Sequence, residues 1–497
     1  MEDNSAGGSS ASRRTIFVLV VVLLVCLLAA GSFAFGTNSS ATTTASAALC
    51  TQPSGVERVQ LSSSAPFGEV TTFALPKPLK APNSIAVAPD GSVWFGEVTL
   101  RGVAHLFVNG TLLEYAWPTS FITPQTECAD LSELWGLVLW HGMVWASDSA
   151  NDQLVGLTPS NDTFDTIHLA SGTQPRFLAL DSLGNLWFTE SSPQTQIGMI
   201  TSASSAPRYF TVPDAPGQIT ASLLFYNSTM AYVVTVNPTV NAGEIFSFDP
   251  SASTPAFTRV GGNETLLGPY SASEAAGGLW VGEHDASGVA FYNQTSSKWS
   301  FYPTSLNPEV LLTLPYYLQA NGSSVWFNEH DSNKIAVISG SSLTEYNISS
   351  TPLSSGGIGN ALTVAVDKNL VWFTEWTGNT VGFVNGSLRP SFSIAASSTS
   401  NEVTIAPGSA ASISLEISGT STAPLSLQYS DSESNTAVPV NLTVSSNVSS
   451  VTGLAGVRGV LVNISAKPDT PIGEYLVLVT VTDGMTYRSV YIPVEVT

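Results

Sequence analysis

Aromatic residues recur along the middle of the chain at the spacing of a repeated structural unit. Six tryptophans and one tyrosine each lie in a short apolar run, with successive steps of 51, 42, 45, 48, 46 and 46 residues; these are Trp94, Trp145, Trp187, Tyr232, Trp280, Trp326 and Trp372. A period of about 40–50 residues with several short strands per unit is typical of β-propeller blades. Such units bury their apolar faces only against neighbours, so the pattern predicts seven blades stacked around an axis.

Within one unit, polar and apolar positions alternate as they do in half-buried strands. In the last unit, residues 360–366 and 370–375 alternate on either side of an Asp-Lys-Asn turn, and residues 380–384 add a third strand. The other units carry a fourth, outer strand that the last unit lacks. Residues 68–75 have the pattern of an outer strand, so we expect them to complete the last blade and to close a seven-bladed β-propeller over residues 66–388.

The tryptophans stop after Arg389-Pro390, and the composition changes. Residues 391–497 are rich in Ser, Thr and Val, with alternating stretches such as 411–417 and 475–482. Short strands separated by turns over about 100 residues are typical of the immunoglobulin-like β-sandwich. We therefore expect a C-terminal immunoglobulin-like β-sandwich after the propeller.

The N-terminus carries a long apolar segment that is flanked by arginines. Residues 15–36 contain about twenty consecutive uncharged, mostly apolar residues, enough for one N-terminal transmembrane helix. Arg13 and Arg14 precede it, so the positive-inside rule places residues 1–14 in the cytoplasm as a tail and the propeller outside. A cleaved signal peptide is the alternative. Residues 37–65, rich in Ser and Thr, predict a stalk. The expected fold class is all-β apart from this anchor.

Charge and cysteine content restrict the partners and the compartment. Acidic residues outnumber basic ones 37 to 16, giving a net charge of −21, which argues against a nucleic-acid partner. Cys26 lies in the anchor, whereas Cys50 and Cys128 can form a disulfide in an oxidising exterior. Twelve Asn-x-Ser/Thr sequons permit surface glycosylation.

Acidic residues end the second strand of nearly every unit. This column consists of Glu97, Asp148, Glu190, Glu283, Glu329 and Glu375, with Thr235 at the seventh place. Carboxylates at one mouth of the channel would suit Mg²⁺ or Ca²⁺, because hard cations take oxygen ligands, and the candidate metal ligands are Glu283, Glu329 and Glu375. The alternative is that a recurring carboxylate serves the repeat itself by accepting hydrogen bonds.

Residues that differ between the repeats are the candidates for metal binding, catalysis and ligand binding. Glu-His-Asp occurs twice, 46 residues apart, at residues 283–285 and 329–331, so His284 and His330 can share one rim as metal ligands or as a base. Exposed histidines beside turn-capping aspartates are the alternative. Aromatic and polar residues at the starts of inner strands would share that rim and suit a polar small-molecule, glycan or peptide ligand; these are Arg176, Tyr270, Tyr316 and Asn360.

The blade phrases resemble those of the streptogramin B (virginiamycin B) lyase family. The resemblance rests on Trp187-Phe-Thr-Glu190 and Trp372-Phe-Thr-Glu375, with the following segments Gln196-Ile-Gly-Met199 and Asn379-Thr-Val-Gly-Phe383. It implies a seven-bladed propeller that opens a cyclic depsipeptide by β-elimination, with a histidine base and a magnesium ion. The family places its histidines at the starts of inner strands. The matching positions here hold other residues: Asn83, Trp135, Arg176, Tyr270, Tyr316 and Asn360.

Two functions follow as expectations. The first is a membrane-anchored cell-surface module that binds a ligand or acts as a scaffold, without the family's histidines. The second is a metal-dependent lyase or lactonase-like hydrolase with a rearranged site, in which His284, His330 and Glu375 are catalytic. A metal ion at the mouth favours the enzyme, and a mouth blocked by aromatic residues favours binding.

Overall fold

A computed structural model describes most of the chain beyond residue 54. The described residues are 55–64, 69–77, 80–121, 134–191, 195–213, 217–262, 264–305, 307, 310, 312–348, 361–388, 390–397, 402–431 and 441–497. Residues 1–14, the expected anchor at 15–36, Cys50, Cys128 and Asn360 lie outside them. Within the described part, no helix has the length and apolar character needed to cross a membrane.

Antiparallel sheets, one for each aromatic repeat, form the larger part of the described chain. Three strands precede the first repeat: β1 (Val56–Gln60), β2 (Ser63–Ser64) and β3 (Val70–Ala74). The first two repeats contain β4 (Pro82–Val87), β5 (Val93–Glu97), β6 (Gly102–Leu106), β7 (Thr111–Ala116), β8 (Leu137–Trp140), β9 (Met143–Asp148), β10 (Gln153–Thr158) and β11 (Thr163–His168). Short 3₁₀ turns lie at Thr119–Phe121 and Ser149–Asn151.

The third to fifth repeats follow the same order from the inner to the outer strand. Their strands are β12 (Pro175–Leu180), β13 (Leu186–Glu190), β14 (Gln196–Ile200), β15 (Arg208–Thr211), β16 (Ile219–Phe225), β17 (Ala231–Asn237), β18 (Ala242–Phe248), β19 (Thr258–Arg259), β20 (Leu266–Leu267), β21 (Pro269–Ala275), β22 (Gly278–Glu283), β23 (Gly288–Asn293) and β24 (Lys298–Pro303).

The last two repeats contain seven strands from their own sequence. These are β25 (Pro315–Asn321), β26 (Ser324–Glu329), β27 (Lys334–Ser339), β28 (Ser342–Asn347), β29 (Ala361–Asp367), β30 (Leu370–Glu375) and β31 (Thr380–Asn385). The outer strand of the seventh sheet is β3, which pairs with β31 from Val70 opposite Val384 to Ala74 opposite Thr380. This is the strand expected to close the ring, and it joins the two ends of the propeller.

The end of the expected stalk lies in sheets instead. Strand β1 pairs with β7 as a fifth strand of the first sheet, and β2 pairs with β3. Residues 56–60 and 63–64 therefore cover outer edges whose N–H and C=O groups would otherwise be unpaired. Their Ser- and Gln-containing composition gives no sign of this, because an outermost strand is exposed on both faces.

The aromatic of each repeat packs against the next blade. Trp94 shares a buried cluster with Leu137 of the second sheet, and Trp187 shares one with Val233 of the fourth. Trp372 of the seventh sheet packs on Phe95 of the first, so the packing is continuous around the ring. Burying a side chain of this size stabilises a fold by several kcal/mol, at roughly 25 cal/mol per Å².

The phenylalanine beside the tryptophan requires a small residue on the next strand. Phe188 pairs with Gly198 and Phe373 with Gly382. A Cβ atom on Gly198 would lie 1.9 Å from Phe188 Cζ, and one on Gly382 would lie 2.6 Å from Phe373 Cζ. Glycine is therefore required at both positions to admit the aromatic ring between strands.

The C-terminal residues form two sheets that share one core. Their strands are β32 (Phe392–Ala396), β33 (Val403–Ile405), β34 (Ala410–Ser421), β35 (Leu425–Asp431), β36 (Leu442–Ser446), β37 (Ser450–Val451), β38 (Leu454–Ala466), β39 (Gly473–Thr482) and β40 (Thr486–Val496). One sheet has the order β32-β34-β38-β36, and the other contains β33, β40, β39, β35 and β37. Apolar residues from both sheets form one cluster. This is a β-sandwich, and its immunoglobulin-like class stays a prediction.

Strand β40 joins the sandwich to the sixth blade. It pairs with β28 from Ser342 opposite Val490 to Tyr346 opposite Thr486, so one sheet of nine strands runs through both units. The hydroxyl of Tyr491 donates to the carbonyl oxygen of Pro303 at 2.9 Å, and that of Ser430 donates to Thr304 at 2.9 Å. The sandwich is therefore an integral part of the blade's outer edge.

Lys334 lies buried at this junction. Its Nζ is 3.4 Å from Glu345 Oε1, 3.8 Å from Glu329 Oε2 and 3.9 Å from the ring centre of Tyr487. It also donates to Ser305 Oγ at 2.8 Å. Burial acts against the charged ammonium, but the two carboxylates outweigh it and raise the pKa of Lys334.

We predict that Lys334→Ala lowers the free energy of unfolding by about 3–5 kcal/mol, because two buried carboxylates would lose their cation. Chemical denaturation measures the change. Lys298→Ala removes an exposed lysine from the fifth blade and should change stability by no more than about 0.5 kcal/mol. Equal losses of unfolding free energy in the two variants would contradict the role of Lys334 as the cation of the two buried carboxylates.

Candidate functional site

Strand pairing gives the ring two distinct faces. The start of an inner strand pairs with the end of the second strand, as in Pro175 with Glu190 and Pro315 with Glu329. We call the face that contains these ends the mouth face. The turns between the first and second strands, and between the third and fourth, lie on the opposite side, which we call the far face.

Aromatic side chains and histidines from four blades meet on the mouth face. This mouth cluster consists of Trp135, Arg176, Phe177, Tyr270, His284, Tyr316, Tyr317 and His330. The rings of His284 and His330 lie 5.7 Å apart, and Tyr316 lies 5.5 Å from the first and 5.9 Å from the second. The two Glu-His-Asp phrases therefore do share one rim.

Several of these contacts cross the ring. Trp135 precedes the second sheet, yet its ring lies 6.4 Å from Tyr316 of the sixth. Phe177 of the third sheet stacks on Tyr317 of the sixth at 5.9 Å. The sixth blade is three places away from both the second and the third around the seven-bladed ring, so these residues touch only through its middle. The mouth is therefore filled by aromatic side chains at this level.

The backbone at the inner-strand starts is irregular where these residues lie. The pairing register shifts between Pro175 and Leu178, between Pro269 and Ser271, and between Pro315 and Leu318. Such bulges leave residues unpaired and redirect side chains. The residues that lead into five of the inner strands have left-handed φ values: Ala81 at 51°, Leu134 at 64°, Gln174 at 48°, Gly268 at 57° and Leu314 at 53°. For non-glycine residues this conformation costs about 1–3 kcal/mol each and is found at binding sites.

His330 is held as a neutral ring. Its Nδ1 lies 3.1 Å from the carbonyl oxygen of Ala361, which can only accept, so Nδ1 carries the proton. Burial, with a contribution from His284, lowers the pKa of His330 to about 3. A general base works best with a pKa near the operating pH, so His330 is poorly suited to that role.

Arg176 lies between aromatic rings. Its Cζ is 4.8 Å from the ring centre of Trp135 and 5.9 Å from that of Phe177, both within cation–π range. The guanidinium is also within hydrogen-bonding reach of the Tyr316 hydroxyl; burial raises the pKa of Tyr316 while Arg176 opposes the increase. Among the described residues, no carboxylate forms an ion pair with Arg176.

The three predicted metal ligands have separate partners close to the ends of their own strands. Glu283 Oε1 accepts the backbone N–H of Leu267 at 2.9 Å, and Glu329 accepts from Ser332 and lies beside Lys334. Glu375 packs closely on Gly378, where a Cβ would lie 2.5 Å from its Cδ.

These contacts bear on the metal site that the sequence predicts. Within the described part of the chain, no three His, Cys, Asp or Glu side chains are placed to hold a metal ion. Asp148 likewise accepts from Asn151 and Gln153 of its own blade. Asp148 and Glu329 therefore stabilise the segments that follow their own strands, and Glu283, Glu329 and Glu375 do not form one ligand set for Mg²⁺ or Ca²⁺.

Glu283 lines a groove instead. The groove has a volume of about 490 Å³ and lies between the fourth and fifth blades, where Glu283 is accompanied by Leu266, Lys298 and Trp299. Burial raises the pKa of Glu283 to about 7, and Asp285 adds to the increase.

Sequence reasoning named most of the mouth cluster. Arg176, Tyr270, Tyr316, His284 and His330 come together, while Asn360 lies outside the described residues. Phe177 was missed. Its signal was present, because it follows Arg176 as Tyr317 follows Tyr316, at equivalent positions of two inner strands.

Solved structures share the propeller fold. No protein-family model matches the chain, and no curated protein matches it. A catalytically inactive histidine-to-alanine variant of virginiamycin B lyase from Staphylococcus aureus, with quinupristin, has a TM-score of 0.51 at 17% identity, covering 63% of this chain and 98% of that one. The selenomethionine-substituted enzyme has a TM-score of 0.49 at 17% identity, covering 66% and 98%.

A streptogramin B lyase structure has a TM-score of 0.49 at 18% identity, covering 63% of this chain and 96% of that one. The chain therefore has a virginiamycin B lyase-like β-propeller fold, as its blade phrases predicted. At this identity the likeness concerns the fold alone.

The lowered pKa of His330 also predicts that the stability of the protein depends on pH. Its folded pKa of about 3 lies below the value of about 6.5 for an unfolded chain. As the pH falls below about 6.5 the unfolded state takes up a proton first, so this group lowers the free energy of unfolding progressively toward pH 3.

We expect His330→Gln to reduce the slope of stability against pH between pH 6.5 and pH 4 by up to about 1.4 kcal/mol per pH unit. Urea denaturation at a series of pH values measures it. His168→Gln, at an exposed position of β11, is the control and should leave the slope close to that of the parent. Parallel slopes for the parent and His330→Gln would show that the ring is not held neutral.

Proposed function

We propose that this protein is a membrane-anchored, extracytoplasmic binding module whose mouth cluster recognises a carboxylate-bearing polar ligand, such as an acidic glycan or a peptide C-terminus. The observation that carries the proposal is Arg176, a partly exposed guanidinium stacked on Trp135 and without a carboxylate ion pair among the described residues. A planar guanidinium binds a carboxylate through two parallel hydrogen bonds.

The surroundings of Arg176 fit such a ligand. Aromatic faces contribute contact area for a sugar ring or a peptide side chain, and the hydroxyls of Tyr270 and Tyr316 can donate or accept hydrogen bonds. Burial raises the pKa of both tyrosines, which keeps them protonated and uncharged beside an anion.

The proposed location rests on the sequence. The apolar segment at 15–36 with Arg13 and Arg14 before it supports one membrane helix with the propeller outside. The Ser-, Thr- and Ala-rich composition of residues 37–54 supports a tether between that helix and β1. A scaffold at the cell surface is compatible with the same arrangement, because the ligand can itself be part of a larger polymer.

The enzymatic alternative has less support. A metal-dependent lyase or lactonase-like hydrolase needs a base with a suitable pKa and a shared set of oxygen ligands. His330 has a strongly lowered pKa, Glu329 accepts a hydrogen bond from Ser332, and Glu375 packs against Gly378.

We expect Arg176→Gln to weaken binding to carboxylate-bearing members of two arrays: oligosaccharides with and without uronic acid, and peptides with free and amidated C-termini. The fragment of residues 50–497 would be labelled and applied to both. Loss of a charge-assisted pair should weaken binding at least tenfold, since such pairs contribute about 1.5–3 kcal/mol.

Arg208→Gln is the matched control. Arg208 also stacks on an aromatic ring, Phe210, at 5.1 Å, but it lies on the exposed outer strand β15. The Arg208→Gln variant should bind the carboxylate-bearing array members as the parent does. Equal binding to neutral and acidic members, or binding by Arg176→Gln at the parent's level, would refute carboxylate recognition.

The enzymatic alternative predicts a stoichiometric metal ion at the mouth, and calorimetry with Mg²⁺ and Ca²⁺ can test it. We expect that no such ion binds there. One ion per chain that is lost in Glu329→Gln/Glu375→Gln, but retained in Arg176→Gln, would instead support the metal-dependent enzyme.

A further inference from the structure

The sequons of the propeller are concentrated on the far face. Six of them lie there in turns between the first and second strands or between the third and fourth, or at the strand ends beside those turns: Asn109, Asn161, Asn227, Asn293, Asn321 and Asn385. Asn109, Asn161, Asn227 and Asn321 are exposed, and Asn293 and Asn385 are partly exposed.

The mouth face shows the opposite pattern. It also carries asparagines at strand ends and turns, and none of the following begins a sequon: Asn83, Asn151, Asn237, Asn241, Asn307, Asn328, Asn333 and Asn379. Asn237 comes nearest, but Pro238 stands between it and Thr239, and proline at that place prevents recognition. A chance distribution in a chain rich in Ser and Thr would place sequons on both faces.

Among the described sequons of the propeller, one departs from this division; an eighth, at Asn263, lies outside the described residues. Asn347 begins Asn-Ile-Ser at the end of β28, toward the mouth face. Its backbone N–H donates to the carbonyl oxygen of Met485 at 3.0 Å, so it lies at the junction with the sandwich.

In most of the far-face turns, Nδ2 of the asparagine, the atom to which a sugar would be attached, makes no hydrogen bond among the described residues. In each of five asparagines Oδ1 accepts the backbone N–H of residue i+2: Asn109, Asn161, Asn227, Asn293 and Asn385. No hydrogen bond within the described part of the chain uses the Nδ2 atom of these five. Asn321 differs, because its Nδ2 donates to the carbonyl oxygen of Lys368 in the next blade at 2.8 Å.

We propose that Asn109, Asn161, Asn227, Asn293 and Asn385 are N-glycosylation sites, so that glycans cover the far face and leave the mouth face bare. In the modification, Nδ2 forms a bond to C1 of a sugar supplied by a lipid-linked glycosyl diphosphate, and an oligosaccharyl transferase catalyses the transfer. The bond from C1 to the diphosphate oxygen breaks, and the amide loses one proton. The inference depends on the proposed external location and is independent of the ligand.

This distribution has a physical consequence for the binding module. Each glycan is a bulky, hydrated group that prevents close approach of another macromolecule. A ligand that is part of a large polymer would therefore be directed to the mouth face.

Mass spectrometry of the protein purified from its own cells tests the proposal. Chymotrypsin and elastase are suitable proteases, because the chain has only 16 Lys and Arg residues. We expect carbohydrate mass on the five asparagines, with Asn321 and Asn347 unmodified. Five unmodified asparagines would overturn the proposal, and so would modification of Asn321 and Asn347 to the same extent.

A matched pair of variants separates modification from a structural role of the turn. Thr163 Oγ1 donates to Asn161 Oδ1 at 2.7 Å. Thr163→Ser keeps both this hydroxyl and the sequon, so the glycan mass on Asn161 should remain, whereas Thr163→Ala should remove it. Glycan mass retained on Asn161 in Thr163→Ala would contradict modification through the sequon, and an Asn161 without glycan in the parent as well would show that the sequon serves the turn alone. Array binding by unglycosylated protein tests the proposed function separately.

Discussion

The structure depends on the burial of one large aromatic side chain between each pair of neighbouring blades. No single four-stranded sheet can cover its own apolar faces, so each blade is stable only when the next one packs on its tryptophan or tyrosine. The contact between Trp372 and Phe95 extends this packing across the two ends of the propeller. Strand β3 adds backbone hydrogen bonds at the same place, so the ring has no unpaired seam.

A closed ring brings the starts of the inner strands together around one axis. Here four of those starts carry large residues, and six of the seven inner strands carry register shifts near their starts. Trp135 and Phe177 consequently reach Tyr316 and Tyr317 across the ring. The same geometry that could gather metal ligands at a mouth instead gathers aromatic rings around one guanidinium, and this favours recognition over proton transfer.

The carboxylate column shows that a residue recurring in the blades can suggest a metal site without forming one. Six acidic residues in equal phase suggested a ring of ligands, but each lies buried at the end of a second strand of its own blade. Asp148 accepts hydrogen bonds from Asn151 and Gln153, and Glu329 accepts one from Ser332, so these two carboxylates hold the segment that follows their strand. The residues that differ between blades carry the information about function.

The sequence by itself determined the number of blades, the strand that closes the ring and most of the residues at the mouth. Those features follow from the local alternation of polar and apolar residues and from the spacing of the aromatic residues. Any packing of the repeats has to preserve both. Only the tertiary structure decided the rest. The pairing of β28 with β40, the position of β1 and the contact of Trp135 with Tyr316 join residues far apart in the chain. Such pairings depend on which edges and faces remain open after the ring has formed, and no local pattern records that.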